Sequence, residues 1–115
     1  MTFLTRVFAQ PSEKAVTKRY RATWNGAVLA ESADAVVFEG SYYFPLADVH
    51  GEHLRPSERH TTGPWKGVAG YYDVVIGDKV NRDAARYYPN PSPAWDRIKG
   101  RVAFWYDVEV EQLEA

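Results

Sequence analysis

Hydrophobic and polar residues alternate in short runs along most of this chain, and turn-forming residues separate the runs. Apolar and polar residues alternate over 20–24, before Asn25-Gly26, and the apolar run 27–30 follows it. Asn25-Gly26 can take the positive φ angles of a type I′ turn. The pattern predicts two antiparallel strands. A second pair of runs, at 35–38 and 42–44, flanks Gly40, which suits a left-handed turn position.

The same pattern continues in the second half of the chain. Alternation over 68–76 predicts a strand whose second, wetter face carries Asp73. Gly77-Asp78 predicts a hairpin turn, with another short strand at 84–88. The apolar row within 101–110 predicts one long final strand, with one side in the core and the other facing solvent or a ligand.

Two segments depart from this alternation. Ser92 suits a helix N-cap and Pro93 a first helical position, so we expect one short helix near residues 93–99, ended by Gly100. Residues 45–67 combine prolines, glycines and histidines with few hydrophobic residues. This long irregular stretch is either a functional loop or an unrecognised element, and 52–55 could form a short strand or helical turn.

These elements predict a mainly β fold. We expect a single domain of antiparallel strands that forms an open barrel or a two-sheet, tent-like or sandwich-like arrangement. The chain has 115 residues, which is enough for one core. The expected boundaries are an N-terminal extension at 1–18, the β-rich domain at 19–110 and a C-terminal tail at 111–115.

Composition narrows the function classes. The formal net charge is −1, so the basic footprint of a nucleic-acid or anionic-membrane binder is missing. The chain contains no cysteine, which removes disulfides, thiolate catalysis and cysteine-bound metal centres. No apolar run resembles a signal peptide or a membrane span. We expect a soluble, cytoplasmic domain that binds neither nucleic acid nor membrane.

Aromatic residues occur as adjacent pairs in the predicted strands. Because neighbouring strand residues point to opposite faces, each pair places one ring in the core and one on the other face. The second rings either cover a curved sheet or line an aromatic pocket that stacks a planar ligand. The candidate pocket residues are Tyr43, Tyr71, Tyr88 and Trp105.

Lys66 is the main candidate for chemistry. It follows Gly63-Pro64-Trp65 at the entry to a strand, where an ammonium group can bind an anionic or carbonyl group, with Asp48 as its counter-charge or a hydrogen-bond acceptor. A first alternative is an enzyme in which Lys66 performs acid–base chemistry with Asp48 or a tyrosine. A surface or ion-paired lysine is the simplest interpretation. A homodimer formed through exposed aromatic residues is a further alternative.

The three histidines, His50, His53 and His60, all lie in the irregular stretch. His50 and His53 would share a face of a helix, and His50 would share an extended face with Asp48 and Glu52. This spacing matches no specific metal-binding pattern. We therefore expect solvent-exposed histidines, with no metal and no cofactor.

The order of several short motifs resembles an uncharacterised family, catalogued as domain of unknown function 427. The resemblance covers about residues 20–106 and implies a small, β-rich, bacterial-type domain without an established activity. It also implies that recurrent polar positions of the family fall on Tyr43, Asp48, Lys66 and Tyr88. Gly63 and Arg86 depart from the family pattern, which often has Cys and Trp there. The motifs that carry the resemblance are Asn25-Gly26, Glu31-Ser32, Tyr43-Phe44-Pro45, Asp48-Val49, Pro64-Trp65-Lys66-Gly67, Tyr71 or Tyr72, Asp83-Ala84-Ala85, Tyr88-Pro89 and Ile98-Lys99-Gly100-Arg101-Val102-Ala103-Phe104.

Overall fold

A computed structural model describes residues 18–64 and 66–113, and strands dominate this part of the chain. The predicted N-terminal extension lies outside the described residues, apart from Lys18. The strands are β1 (Arg19–Trp24), β2 (Ala27–Ser32), β3 (Val36–Phe38), β4 (Ser41–Phe44), β5 (Leu54–Gly63), β6 (Gly67–Ile76), β7 (Lys79–Tyr87), β8 (Val102–Phe104) and β9 (Glu109–Leu113).

The strands form two antiparallel sheets. One has three strands in the order β9-β1-β2, and the other has six in the order β3-β4-β8-β7-β6-β5. Within the described residues neither sheet closes on itself. The prediction of a mainly β, single-domain, two-sheet fold is therefore confirmed.

Both hairpins predicted in the first half of the chain are present. Asn25 and Gly26 have φ angles of 51° and 80°, and Glu39 and Gly40 have 52° and 80°. Positive φ at both central residues is the type I′ geometry, whose twist matches that of the flanking strands. Glu39 is consequently fixed at the tip of the β3–β4 hairpin.

The short helix near residues 93–99 is confirmed as a 3-10 helix at Pro93–Ile98. Ser92 occupies the N-cap position and its carbonyl accepts a hydrogen bond from the Trp95 N–H at 2.8 Å. Within the ranges 18–64 and 66–113, no helix combines the length and apolarity that crossing a bilayer requires.

The prediction of one long final strand at 101–110 is wrong. The chain turns between β8 and β9, because Tyr106 and Asp107 adopt positive φ angles of 48° and 68°. β8 lies inside the six-stranded sheet, whereas β9 is an edge of the other sheet and pairs with β1. This pairing continues to Leu113, within the segment assigned above to the tail.

The irregular stretch at 45–67 contains more regular structure than the short strand or helical turn that was considered at 52–55. Two 3-10 helices, at Leu46–Asp48 and Gly51–His53, precede the ten-residue strand β5. β5 is an edge strand with mostly exposed side chains, so it carries little hydrophobic alternation. Pro56 is tolerated there because an edge strand need not donate every ladder hydrogen bond.

The six-stranded sheet buries hydrophobic residues on both faces. One cluster lies between the sheets and combines Leu29 of β2 with Phe44, Val74 and Val102 of the larger sheet. A second cluster lies on the opposite face, where the 3-10 helix at Pro93–Ile98 covers the sheet with Ile98. The second face is thus a small core in its own right, not a solvated surface.

Asp73 corrects the expectation of a wetter second face in β6. Asp73 is only 6% exposed. One carboxylate oxygen accepts a hydrogen bond from the Asp83 N–H at 2.9 Å, and the other pairs with Arg55 at 3.2 Å. Asp73 therefore has a structural role, because it holds the backbone of the β6–β7 bulge in place.

Candidate functional site

Three of the four predicted pocket rings share the second face of the six-stranded sheet. Tyr43 lies on β4, Tyr71 on β6 and Tyr88 directly after β7, and all three belong to one buried cluster. Their neighbours Tyr42 and Tyr72 pack into the opposite cluster. The predicted division between two faces therefore holds for Tyr42-Tyr43 and Tyr71-Tyr72. It does not hold for Trp105-Tyr106, whose rings stack on each other at 4.4 Å.

Most of these rings are packed too closely to contact a ligand. Tyr43 is 1% exposed and Tyr71 is 4% exposed, so both are core residues. The Tyr71 hydroxyl forms a hydrogen bond of 2.9 Å with Thr61 Oγ1, and the fully buried Ile98 covers the centre of the cluster. Tyr43 and Tyr71 are therefore packed core residues and do not line a site.

A cleft of about 140 Å³ opens beside this cluster. It lies where the β3–β4 turn, the β5–β6 connection, the end of β7 and the 3-10 helix at Pro93–Ile98 meet. Tyr88 is the predicted pocket ring that reaches it. The residues that line the cleft are Glu39, Gly63, Pro64, Lys66, Tyr88 and Trp95.

Gly67 brings the β5–β6 connection close to the chain after β7. Its φ of +101° is accessible mainly to glycine. A Cβ atom at this position would also lie 3.2 Å from the Asn90 carbonyl oxygen. The glycine that follows Lys66 therefore lets the lysine approach Tyr88 from the neighbouring segment.

An ion pair and two aromatic rings position the Lys66 side chain. Its Nζ forms an ion pair with Glu39 Oε1 and lies 5.8 Å from the Tyr88 ring centroid and 5.9 Å from that of Trp95. These separations are within the range of cation–π attraction. The hydrogen bond to Glu39 raises the pKa of Lys66, and partial burial opposes this effect. Lys66 is therefore a protonated, partly buried cation at neutral pH.

Tyr88 supplies a neutral hydroxyl group. Burial raises the pKa of Tyr88, and the nearby Arg86 and Lys66 charges only partly offset this. The phenol therefore stays protonated at neutral pH and can donate a hydrogen bond. Its position is fixed by the backbone, because the Tyr88 carbonyl accepts from the Gly100 N–H at 3.1 Å.

Asp48 does not serve as the counter-charge of Lys66, since Glu39 occupies that role. Asp48 lies in the first 3-10 helix, beyond the Phe44 end of β4, whereas Glu39 precedes the Ser41 end. Asp48 is also not among the residues that line the cleft. The sequence could not show this, because which segment meets Lys66 depends on how distant parts of the chain pack together.

Trp105 is not among the residues that line the cleft. It stacks on Tyr71 at 6.2 Å and on Tyr106 at 4.4 Å, and Arg86 lies 4.7 Å above its ring. Its indole N–H donates to the Asp83 carbonyl at 2.5 Å. These contacts give Trp105 a structural role at the β6–β7 bulge.

Sequence reasoning missed Glu39 and Trp95 as site residues. Glu39 belongs to a turn that was identified correctly, but nothing local indicates that the turn faces Lys66. Trp95 packs edge to face against Phe38 at 4.7 Å, which places it between β3 and Lys66. Trp95 could have been identified from the sequence, because a short helix that carries a large aromatic ring must pack against another element to bury that ring.

The fold and the site define a class: a small two-sheet β domain with a cleft that pairs one cation with two aromatic rings. A family profile described as domain of unknown function DUF427 matches residues 13–114. The chain belongs to this family. A comparison with curated proteins gave no match.

Proposed function

We propose that this domain binds a small molecule that carries a carboxylate or a similar anionic group next to a planar apolar part. The observation that carries this proposal is the position of the Lys66 ammonium at the cleft, between the Tyr88 and Trp95 rings. A cation and aromatic faces in one concave site provide orientation and contact area together.

Lys66 is better suited than Glu39 to anchor the ligand. The Lys66 side chain is 23% exposed and that of Glu39 is 48% exposed. An incoming carboxylate can therefore replace the more exposed Glu39 side chain while Lys66 stays between the rings. The Tyr88 hydroxyl, kept neutral by burial, can donate a second hydrogen bond to the same group.

The size of the cleft limits the ligand. About 140 Å³ is smaller than the roughly 300–1,000 Å³ typical of drug-sized ligands. It corresponds to a few water molecules at about 30 Å³ each. The buried part of the ligand is therefore a single functional group with a few neighbouring atoms, and the remainder extends into the open mouth.

The raised pKa of Lys66 favours binding over acid–base catalysis. A lysine that acts as a base or forms a Schiff base needs a lowered pKa. The Glu39 carboxylate has the opposite effect because it stabilises the ammonium form. Lys66 is better suited to act as a fixed positive charge.

The test compares three probes of similar shape but different charge: benzoate, benzamide and benzylamine. Each is titrated into the full chain and followed by backbone amide NMR. We expect benzoate to shift resonances of Gly63, Lys66 and Tyr88, with a dissociation constant of about 1 mM, which is a binding free energy of about −4.1 kcal/mol. Benzamide should bind more weakly, and benzylamine should not produce these shifts.

A matched pair of variants tests the assigned cation. Lys66→Met removes the charge but keeps most of the side-chain length, and Lys79→Met does the same at an exposed position beside the β6–β7 turn. We expect benzoate binding to weaken at least about tenfold in Lys66→Met, which is about 1.4 kcal/mol, and to be unchanged in Lys79→Met. Equal benzoate binding by both variants, or tighter binding of benzylamine than of benzoate, would refute the proposal.

A further inference from the structure

A group of potential metal ligands lies at the second 3-10 helix, away from the Lys66 cleft. One nitrogen of His50, one nitrogen of His53 and one carboxylate oxygen of Glu52 all lie within 4.8 Å of one another. His50 and Glu52 are exposed and His53 is partly buried. The cluster contains two of the three histidines in the chain.

The 3-10 turn explains why these side chains converge. A 3-10 helix has three residues per turn, so side chains at positions i and i+3 lie above one another. His50 and His53 have this spacing, and the His53 N–H closes the turn by donating to the His50 carbonyl at 3.0 Å. Spacing alone could not predict this, because the pattern left open whether the segment is extended or helical.

The turn is fixed to both sheets. The His50 N–H donates to the Leu29 carbonyl at 2.8 Å, and Val49 forms a bridge with Ala30. On the other side, β5 begins at Leu54, directly after His53, and pairs there with β6. The three side chains therefore start from a backbone whose two ends are held in place.

A separate observation concerns the orientation of His50. Its Nδ1 lies 2.9 Å from the Val28 carbonyl oxygen. A carbonyl only accepts, so Nδ1 is the donor, and in the neutral imidazole Nε2 then keeps its lone pair. Histidines that bind metals typically donate their other ring N–H to a carbonyl or carboxylate in this way, which fixes the tautomer and the ring orientation.

We propose that His50, Glu52 and His53 form a binding site for a divalent transition-metal ion of the zinc type. Two imidazoles and one carboxylate are a ligand set that zinc uses, and they favour it over magnesium or calcium, which prefer oxygen ligands. Zinc–nitrogen bonds of about 2.0–2.1 Å place tetrahedral ligands roughly 3.4 Å apart. Small side-chain rotations at the surface bring the three atoms from within 4.8 Å to this separation. The fourth position remains open to water or another ligand.

Isothermal titration of zinc chloride into the tag-free full chain tests the site. We expect one equivalent of zinc to bind with micromolar affinity, and magnesium chloride to give no binding under the same conditions. Glu52→Gln and His53→Asn should each weaken zinc binding at least about tenfold, because losing only a hydrogen-bond partner of a metal ligand already costs about 10–100-fold in affinity. Glu52 is exposed and His53 is partly buried, so thermal unfolding of the apo variants checks that the fold is retained.

His60→Asn is the matched control. His60 is also an exposed histidine, but it lies on β5 with its Nδ1 near the Glu58 carbonyl, and it is not a member of the cluster. Zinc binding that survives His53→Asn and Glu52→Gln, or that is lost in His60→Asn, would overturn the assignment, as would no zinc binding up to millimolar concentration. Lys66→Met should bind zinc normally, which separates this site from the cleft.

Discussion

Replacing Asp73 with Ala is expected to destabilise the domain far more than replacing its ion-pair partner. At the β6–β7 bulge, strand pairing passes from Tyr72 opposite Ala85 to Val74 opposite Asn81. Asp83 lies in the extra segment with a φ of 56°. Its N–H therefore has no ladder acceptor and donates to Asp73 Oδ1 instead.

The structure separates two contributions to this effect. A partly buried N–H that loses a charged acceptor costs about 1.5–3 kcal/mol. The Arg55 side chain is 52% exposed, and such surface ion pairs contribute about 0–1 kcal/mol. We therefore expect Asp73→Ala to lower the free energy of unfolding by about 2–3 kcal/mol, and Arg55→Ala by no more than about 1 kcal/mol.

Urea unfolding followed by tryptophan fluorescence measures both changes on one scale. Asp73→Asn is the informative intermediate, because its amide oxygen can still accept from the Asp83 N–H. It should lose about 1 kcal/mol. If Arg55→Ala proved as damaging as Asp73→Ala, the ion pair and not the backbone hydrogen bond would stabilise the bulge, and the reasoning would fail.

Three further predictions concern the two faces of the larger sheet. Gly70→Ala should destabilise the folded domain by about 1–3 kcal/mol, because a Cβ there would lie 2.5 Å from the Tyr87 ring. A double-mutant cycle with Tyr87→Ala should show strong coupling between the two substitutions. Additive effects would contradict this contact. Because Ile98 is fully buried, Ile98→Ala should lower the free energy of unfolding by about 2–5 kcal/mol and Ile98→Val by about 0.5–1.5 kcal/mol. Equal urea midpoints for the two variants would contradict that packing. The pKa values of Lys66 and Tyr88 are raised in the folded protein, so their contribution to the free energy of unfolding is fully present below the unfolded pKa values near 10 and is lost as pH rises through the folded values. The urea midpoint should therefore fall as the pH rises above about 10, and it should fall less steeply in Lys66→Met. An unchanged pH dependence in Lys66→Met would contradict the assignment.

The local features of the fold were predictable where one residue determines the backbone. Asn25-Gly26 and Gly40 identify their turns through positive φ, and Pro93 identifies the start of its helix. The final strand was mispredicted because the break at Tyr106 and Asp107 uses two residues without the usual turn signature. Its cause is the tertiary structure, since β8 and β9 belong to different sheets.

The site was predictable in part. Alternation separated Tyr43 from Tyr42 and Tyr71 from Tyr72, because neighbouring strand residues point to opposite faces. That Tyr43, Tyr71 and Tyr88 share one face depends on how different strands pair, which alternation does not fix. Alternation also could not distinguish a packed face from an open one, since that depends on the helix that brings Ile98 over the rings. The Glu39 partner of Lys66 also depends on how distant segments meet.

The exposed edges of the larger sheet bear on self-association. A long unpaired strand offers its free amide and carbonyl groups to other chains and can seed aggregation. One edge, β3, has only three residues, and the other, β5, carries Pro56, a register shift and the charged side chains of Arg55, Glu58 and Arg59. These features resist the addition of a further strand. The same low hydrophobicity that hid β5 in the sequence therefore protects the folded domain from polymerising through its edge.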